Sequence, residues 1–350
     1  MTASPGDMTR ALTNGQLRLM TKVARMYHER GVRQVDIAET LHLSQARVSR
    51  LLRRAAELGI VRTVVAVAPG VHTEVEEALE ETYGLAEAVV VDVDGTDEEI
   101  IAGLGSAGAT YLETTLTGGE RIGISSWSQT LLAVVDRMRP FRVPGAESVI
   151  QLMGGFGNSS VQTQGNRLLT EFARLVGATA TFVPAPALVG NRTMRESLLN
   201  DPAMESVANE WTRLTMALAG IGSLPPSPLL RASGNAADLA DQDRLHKAGA
   251  VGDVCLRFFD SAGNLVPSDL DDRVVGIDAD TLRKVPRRIG IAGGESKHTA
   301  IQAAVSGRWV NVLITDTGTA AALLRLWQQP DSTAEGKIVP GTRGTIRPTG

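Results

Sequence analysis

The stretch VRQVDIAETLHLSQARVSRLLRRAAELGIV, residues 32–61, allows few local folds. Val35, Ile37, Ala38 and Leu41 have the spacing of a short amphipathic helix. Leu43 then stands where a turn residue would plug a small core, and Ser44 is a good helix N-cap, its hydroxyl able to accept an orphan backbone N–H. Val48, Leu51, Leu52, Ala55 and Leu58 line one face of the next helix. Gln45, Ala46, Arg47, Ser49, Arg50, Arg53 and Arg54 are left on or beside the exposed face. An earlier helix is expected from Leu17 to Gly31, with Leu17, Met20, Val23, Ala24 and Tyr27 on its apolar side. Two short helices joined by a tight turn, the second basic at its start, form the helix-turn-helix pattern. Gln and Arg can read purine edges bidentately, and Ser and further Arg side chains suit phosphates. After Gly59 the run IVRTVVAV reads as a strand or wing, with Arg62 a further backbone contact. A solvated helix with arginines on its outer face would share the charge but not the cap, the plug and the apolar register together.

The charge balance agrees with this placement. Residues 1–70 carry eleven Lys/Arg and five Asp/Glu, whereas the other 280 carry 24 basic and 34 acidic residues, so a net charge of −4 hides a basic head on an acidic body. Only the head is suited to a polyanion. No apolar run approaches the roughly 18 residues that span a bilayer, and a single cysteine, Cys255, suits a reducing cytoplasm. Lying in VCLRFF, that thiol reads as buried and inert.

The body alternates short apolar runs with helical patterns. After Pro69-Gly70, VHTEVEEALEETYGL predicts a helix with an acidic face, a connector or dimerisation element over residues 69–86. Strands are expected at Ala88–Val93, Arg121–Ile124, Ser148–Met153, Thr179–Val183, Leu214–Ala219, Val254–Phe259, Arg288–Ala292 and Val310–Ile314, with helices between them. The pattern implies an α/β domain over residues 87–327 with a mostly parallel sheet, preceded by a helix-turn-helix domain over residues 1–68. The tail over residues 328–350 is rich in Pro, Gly and Thr and reads as loose.

Ligand crevices of such sheets lie at the carboxyl ends of the strands. Five turns fall there: GISSWSQT (123–130), LMGGFGN (152–158), AGIGS (219–223), AGGESK (292–297) and TDTGTA (315–320). Glycine turns ahead of helices expose N–H groups to an anion, and a lysine adds a point charge. The candidate ligand residues are Gly123, Ser125, Ser126, Trp127, Ser128 and Thr130 of the first turn, Gly154, Gly155 and Phe156 of the second, Gly222 of the third and Lys297 of the fourth. A tight turn with no ligand would read the same way at any one of them, and Trp127 would suit a core as well as a ligand's carbon skeleton. Neither G-x-x-x-x-G-K-[ST] nor a helix-opening G-x-G-x-x-G is present, which disfavours nucleotides. The five scattered histidines give a metal site no support, and no cofactor is implied.

Taken in order, IAETLHLSQARVSRLLRRAAELGIV, GISSWSQTL, AGIGS, GAVGDVCLRFFDSAG, IAGGESKHTAIQAAVSG and NVLITDTGTA resemble the SorC-type (DeoR-like) bacterial sugar-responsive transcriptional regulators over about residues 15–327. The resemblance implies a winged helix-turn-helix followed by an effector domain similar to glucosamine-6-phosphate deaminase and ribose-5-phosphate isomerase. It also implies a sugar, polyol or phosphosugar effector and dimers or tetramers on operator DNA. By match, Thr130 with Ser126 and Ser128 would form an anion loop, Gly154-Gly155 a second wall, and Asn166 a hydroxyl contact at the start of its helix. Asp253 would accept ligand hydroxyls and Lys297 would meet a phosphate or acidic group. Where many relatives have glycine this chain has Ser128, and SSWS is bulkier and richer in hydroxyls, which leaves room for an unphosphorylated polyol.

An isomerase or deaminase carrying a DNA-binding head is the competing expectation. Asp253, Glu295 and His298 are its possible bases. No second carboxylate or histidine stands beside them in sequence to complete an acid–base pair. A sensor needs only binding that differs between two states, so no catalytic residue is assigned.

Overall fold

A computed structural model describes residues 13–61 and 70–328. The described residues divide into two units, separated within residues 62–69.

The first unit has three helices, α1 (Asn14–His28), α2 (Gln34–Thr40) and α3 (Gln45–Glu57). Thr13 and Gln16 open α1 with a reciprocal capping box. Met20, Val23 and Ala24 of α1, Ile37 and Ala38 of α2, and Val48, Leu52 and Ala55 of α3 share one core. His42, at φ 51°, makes the reversal between α2 and α3. The Leu43 N–H then donates to the Ala38 carbonyl at 2.8 Å, and the Leu43 side chain packs against the core. Ser44 caps α3 by accepting from the Arg47 N–H at 3.3 Å. The Ile60 and Val61 N–H groups fold back onto the Ala55 carbonyl. The rest of the expected wing, including Arg62, and the tail beyond Gln328 lie outside the described residues.

The second unit starts with α4 (Thr73–Tyr83), followed by β1 (Glu87–Val91), α5 (Asp97–Thr115), β2 (Glu120–Ile124), α6 (Gln129–Val135), β3 (Ala146–Gln151), α7 (Ser159–Val176) and β4 (Thr179–Thr181). Next come α8 (Arg192–Leu199), α9 (Pro202–Trp211), β5 (Met216–Ala219), β6 (Gly222–Ser223), α10 (Pro228–Ser233), α11 (Leu239–Lys247), β7 (Gly252–Val254) and β8 (Arg257–Phe259). The last elements among the described residues are α12 (Ala279–Lys284), β9 (Arg287–Ile291), α13 (His298–Ser306), β10 (Val312–Asp316) and α14 (Thr317–Gln328).

Seven strands form one sheet in the order β1-β10-β9-β5-β2-β3-β4, with every pairing parallel. Both faces are covered, as a parallel sheet requires. Met216 and Leu218 of β5 enter one core while Ala217 and Ala219 enter the other, and Leu313 of β10 points opposite to Val312 and Ile314. The chain runs outward from β2 through β3 to β4, then returns to β5 and runs the other way through β9 to β10. Between β2 and β5 the order therefore reverses.

Two sequence expectations change here. Val254–Phe259 is not one strand but the end of β7, a two-residue turn and β8, an antiparallel hairpin that joins β6 in a separate three-stranded sheet. Its central residues, Cys255 and Leu256, have φ of 54° and 61°. A two-residue turn that matches the strand twist demands such angles, and an apolar run without glycine conceals it. The acidic helix α4 is not a free connector but packs into the body, with Leu79 and Tyr83 in its core. Glu76 and Glu80 accept the Val90 and Ala88 N–H groups at 2.9 and 2.8 Å, which closes the edge of the sheet at β1.

Candidate functional site

At the carboxyl ends of β2, β5 and β9, three neighbouring strands, the turns that follow meet over the reversal point of the sheet. They enclose a cavity of about 600 Å³. The first turn contributes Ser125, Ser126, Trp127, Ser128, Gln129 and Thr130, the second Gly220 to Ser223, and the third Gly293, Ser296 and Lys297. The β7–β8 hairpin brings Asp253, Cys255 and Leu256, and the start of α5 brings Asp97 and Glu98. Met153, Leu104 and Pro225 are among the apolar parts of the wall.

Backbone strain gathers at this place. Among the described residues five non-glycine residues have positive φ, and three of them, Trp127, Cys255 and Leu256, line the cavity. Each costs on the order of 1–3 kcal/mol, so surrounding structure must hold it. Trp127 is 3% exposed, and its ring sits in a notch where a Cβ on Gly157 or Gly165 would come within 2.8 Å of it. Its indole N–H donates to the Gly154 carbonyl at 3.4 Å. Trp127 is therefore a core residue with one edge on the cavity.

The hydroxyls of the first turn hold the turn together. Ser125 Oγ accepts from the Gly220 N–H at 3.3 Å and thereby ties the β2 and β5 turns. Ser126 Oγ donates to the Met153 carbonyl at 3.2 Å, and Ser128 Oγ caps α6 by accepting from the Leu131 N–H at 3.2 Å.

Asp253 is 8% exposed, and its Oδ2 accepts from the Leu256 N–H at 2.9 Å across the strained turn. Burial pushes its carboxyl up to about 6, against the opposing pull of that N–H and of Lys297. The Lys297 ammonium is held below its ordinary value, mainly by burial, while Asp253 and Asp97 act to restore it. Burial also pushes the Cys255 thiol up to about 12, so that it stays protonated. Gly222 pairs with Asp253 across β6–β7, and a Cβ on Gly222 would sit 2.1 Å from Asp253 Oδ1. Gly222→Ala is expected to displace the carboxylate and weaken small-molecule binding at least tenfold, as read by calorimetry; unchanged binding would remove Asp253 from the site.

Five candidate residues are not brought to the cavity wall. Gly123 lies within β2, where a Cβ would overlap Leu152 and Leu214, so its smallness serves sheet packing. At Gly154 a Cβ would lie 2.2 Å from the Pro186 carbonyl carbon, so that glycine lets another chain segment pass closely. At Gly155 a Cβ would lie 2.3 Å from the Gln151 side-chain amide, to which that glycine gives room. Phe156 points outward, 51% exposed. Asn166 is not at the start of its helix, because α7 begins at Ser159; exposed there, it accepts from the Gln162 amide at 2.8 Å. Conversely, Asp97 and Glu98 went unread as cavity residues, since they look like ordinary first-turn acids of a helix.

The chain is similar to known proteins over most of its length. Residues 69–325 match the family model described as “Putative sugar-binding domain”. The chain is 34% identical over 307 residues to the deoxyribonucleoside regulator of Bacillus subtilis (strain 168), covering 87% of this chain and 97% of that one. It is 31% identical over 315 residues to the sorbitol operon regulator of Klebsiella pneumoniae, covering 88% and 98%. The chain belongs to the SorC-type sugar-binding transcriptional regulators. The crystal structure of the full-length sorbitol operon regulator SorC from Klebsiella pneumoniae superposes with a TM-score of 0.66 at 28% identity, covering 89% of this chain and all of that one. These SorC-type relatives are named as regulators and not as enzymes, which decides against the isomerase or deaminase reading. Among the described residues no helix of this SorC-type chain is long and apolar enough to cross a membrane.

Proposed function

We propose that α3 reads operator DNA and that a sugar, polyol or phosphosugar in the cavity controls this binding. The single observation that supports the effector site best is the meeting of the β2, β5 and β9 turns with Asp253 and Lys297 over one cavity at the reversal point of the sheet. In the head, Gln45, Ala46, Arg47, Arg50 and Arg53 lie exposed on α3, and Ser49 is half-buried. Arg54 pairs with Glu57 at 3.1 Å, whereas Arg47, Arg50 and Arg53 make no ion pair among the described residues. Free guanidinium groups on the first turns of a capped helix suit base edges and phosphates in a major groove. The chain acts in the cytoplasm as a homodimer or homotetramer whose two-fold symmetry matches a near-palindromic operator. Effector binding then shifts the equilibrium between two arrangements of the assembly.

A gel shift on the gene's own upstream DNA, with the small molecules that raise the protein's melting temperature, tests this directly. Lys297→Ala is expected to abolish the effect of such a molecule on the shift while sparing DNA binding in its absence. An unchanged response would exclude Lys297 from recognition.

A further inference from the structure

The charge on the cavity wall bears on whether the effector carries a phosphate, and so does the occupancy of the Gly293-Gly294 turn. The argument rests on the reading of this cavity as the effector site. Lys297 is the one basic side chain on the cavity wall among the described residues, and it faces Asp253 and Asp97, with Glu98 adding a third carboxylate. The acids at the start of α5 also suit that helix's dipole, which leaves unchanged the sign they present to the cavity. A dianionic phosphate would meet an ammonium whose charge is already partly offset by the fields of two carboxylates.

The Gly293-Gly294 turn offers no substitute. Its anion is supplied from within the protein by Asp316 at the end of β10. The Gly294 N–H donates to Asp316 Oδ2 at 2.9 Å and to Thr319 Oγ1 at 3.1 Å. A Cβ on Gly293 would lie only 2.1 Å from the same Oδ2. Asp316 is 3% exposed, and it accepts further from the Thr319 N–H at 2.7 Å and the Thr319 hydroxyl at 2.6 Å. The Gly220 and Leu131 N–H groups are likewise occupied, by Ser125 and Ser128. The N–H groups of Gly294, Gly220 and Leu131 are therefore directed at protein oxygens where a phosphate cradle would need them free.

We propose that the effector is an unphosphorylated polyhydroxylated molecule, a polyol or free sugar. Its hydroxyls donate to the carboxylates of Asp253 and Asp97 and accept from the Lys297 ammonium, and its carbon skeleton rests on the Leu256 and Met153 side of the wall. Carboxylates serve such a ligand well, because each oxygen accepts from a hydroxyl and pairs of hydroxyls match pairs of oxygens.

Calorimetry of the full chain with ribitol, xylitol, sorbitol, mannitol, ribose and glucose, each beside its terminal monophosphate, tests the proposal. At least one unphosphorylated member is expected to bind, with its phosphate at least tenfold weaker. The double variant Asp97→Asn with Glu98→Gln is expected to narrow that gap, because it removes two of the repelling charges. A phosphate that binds as tightly as, or tighter than, its parent overturns the proposal, as does the absence of binding by every unphosphorylated member. A gap that the double variant leaves untouched overturns its electrostatic cause. The effector-site reading fails separately, if a molecule that binds does so with the same affinity in Asp253→Asn.

Discussion

Alanine at both Arg47 and Arg50 is expected to weaken operator binding by about one and a half to four decades at physiological salt. Each guanidinium that reads a base is worth about 1–3 kcal/mol, and 1.4 kcal/mol is tenfold in affinity. Both side chains are exposed on α3, and neither is tied up in an ion pair among the described residues. The core of the head, made by Val48, Leu52 and Ala55 on the opposite face, is untouched by the change. Circular dichroism should therefore show an intact helical head while the gel shift is lost. Loss of the shift at every DNA sequence alike would mark the two arginines as phosphate contacts, and retained affinity would place the recognition surface elsewhere.

Asp253→Asn is expected to abolish the response to effector and, at pH 8, to stabilise the protein by on the order of 2–3 kcal/mol. The sign follows from the direction of the shift. Burial raises the folded-state carboxyl from 3.8 to about 6, so the folded chain holds the proton more tightly than the unfolded one. The stability associated with that proton is fully present below about 4 and is lost as the pH rises through 6. Above pH 6 the protein carries a buried carboxylate at a cost to its fold. Asparagine keeps an oxygen that can accept from the Leu256 N–H and removes the charge. Denaturant unfolding at pH 8 and pH 5 checks this: the variant's advantage should shrink at the lower pH. A destabilised variant at pH 8 would show that the attraction of the Lys297 charge outweighs the cost of burial. Effector affinity of the unmodified chain should also fall as the pH drops through about 6, when Asp253 ceases to be a full acceptor.

Much of the head was legible because each of its signals is local. The Ser44 cap acts on a backbone N–H three residues away, and the Leu43 plug acts within one turn. Such contacts depend on spacing along the chain, which a sequence displays. The strands of the parallel sheet were legible for a related reason, since a strand buried on both faces needs a continuous apolar run such as VLI in β10 or MALA in β5. The hairpin at Cys255-Leu256 was not legible. Its left-handed backbone follows from the antiparallel pairing of β7 with β8, and the residues themselves carry no turn signal.

The cavity shows the same division. Ser125 to Thr130 and Lys297 announce themselves as polar residues at strand ends. Asp97 and Glu98 do not, because their place on the wall depends on how α5 lies across the sheet. Gly154 and Gly155 look like a ligand loop in sequence, but the space beside them is taken by the Pro186–Ala187 backbone and the Gln151 side chain, which the sequence does not reveal. The Gly293-Gly294 turn is the sharpest case. Its sequence determines an anion-accepting backbone followed by a lysine, and nothing local says which anion. Only the parallel pairing of β9 with β10 carries Asp316, 22 residues further on, to the Gly294 N–H. The sequence thus determined the classes of element and the chemistry carried by each turn. The tertiary structure decided which of those groups are already satisfied, because hydrogen bonding and burial depend on distance in space and not along the chain.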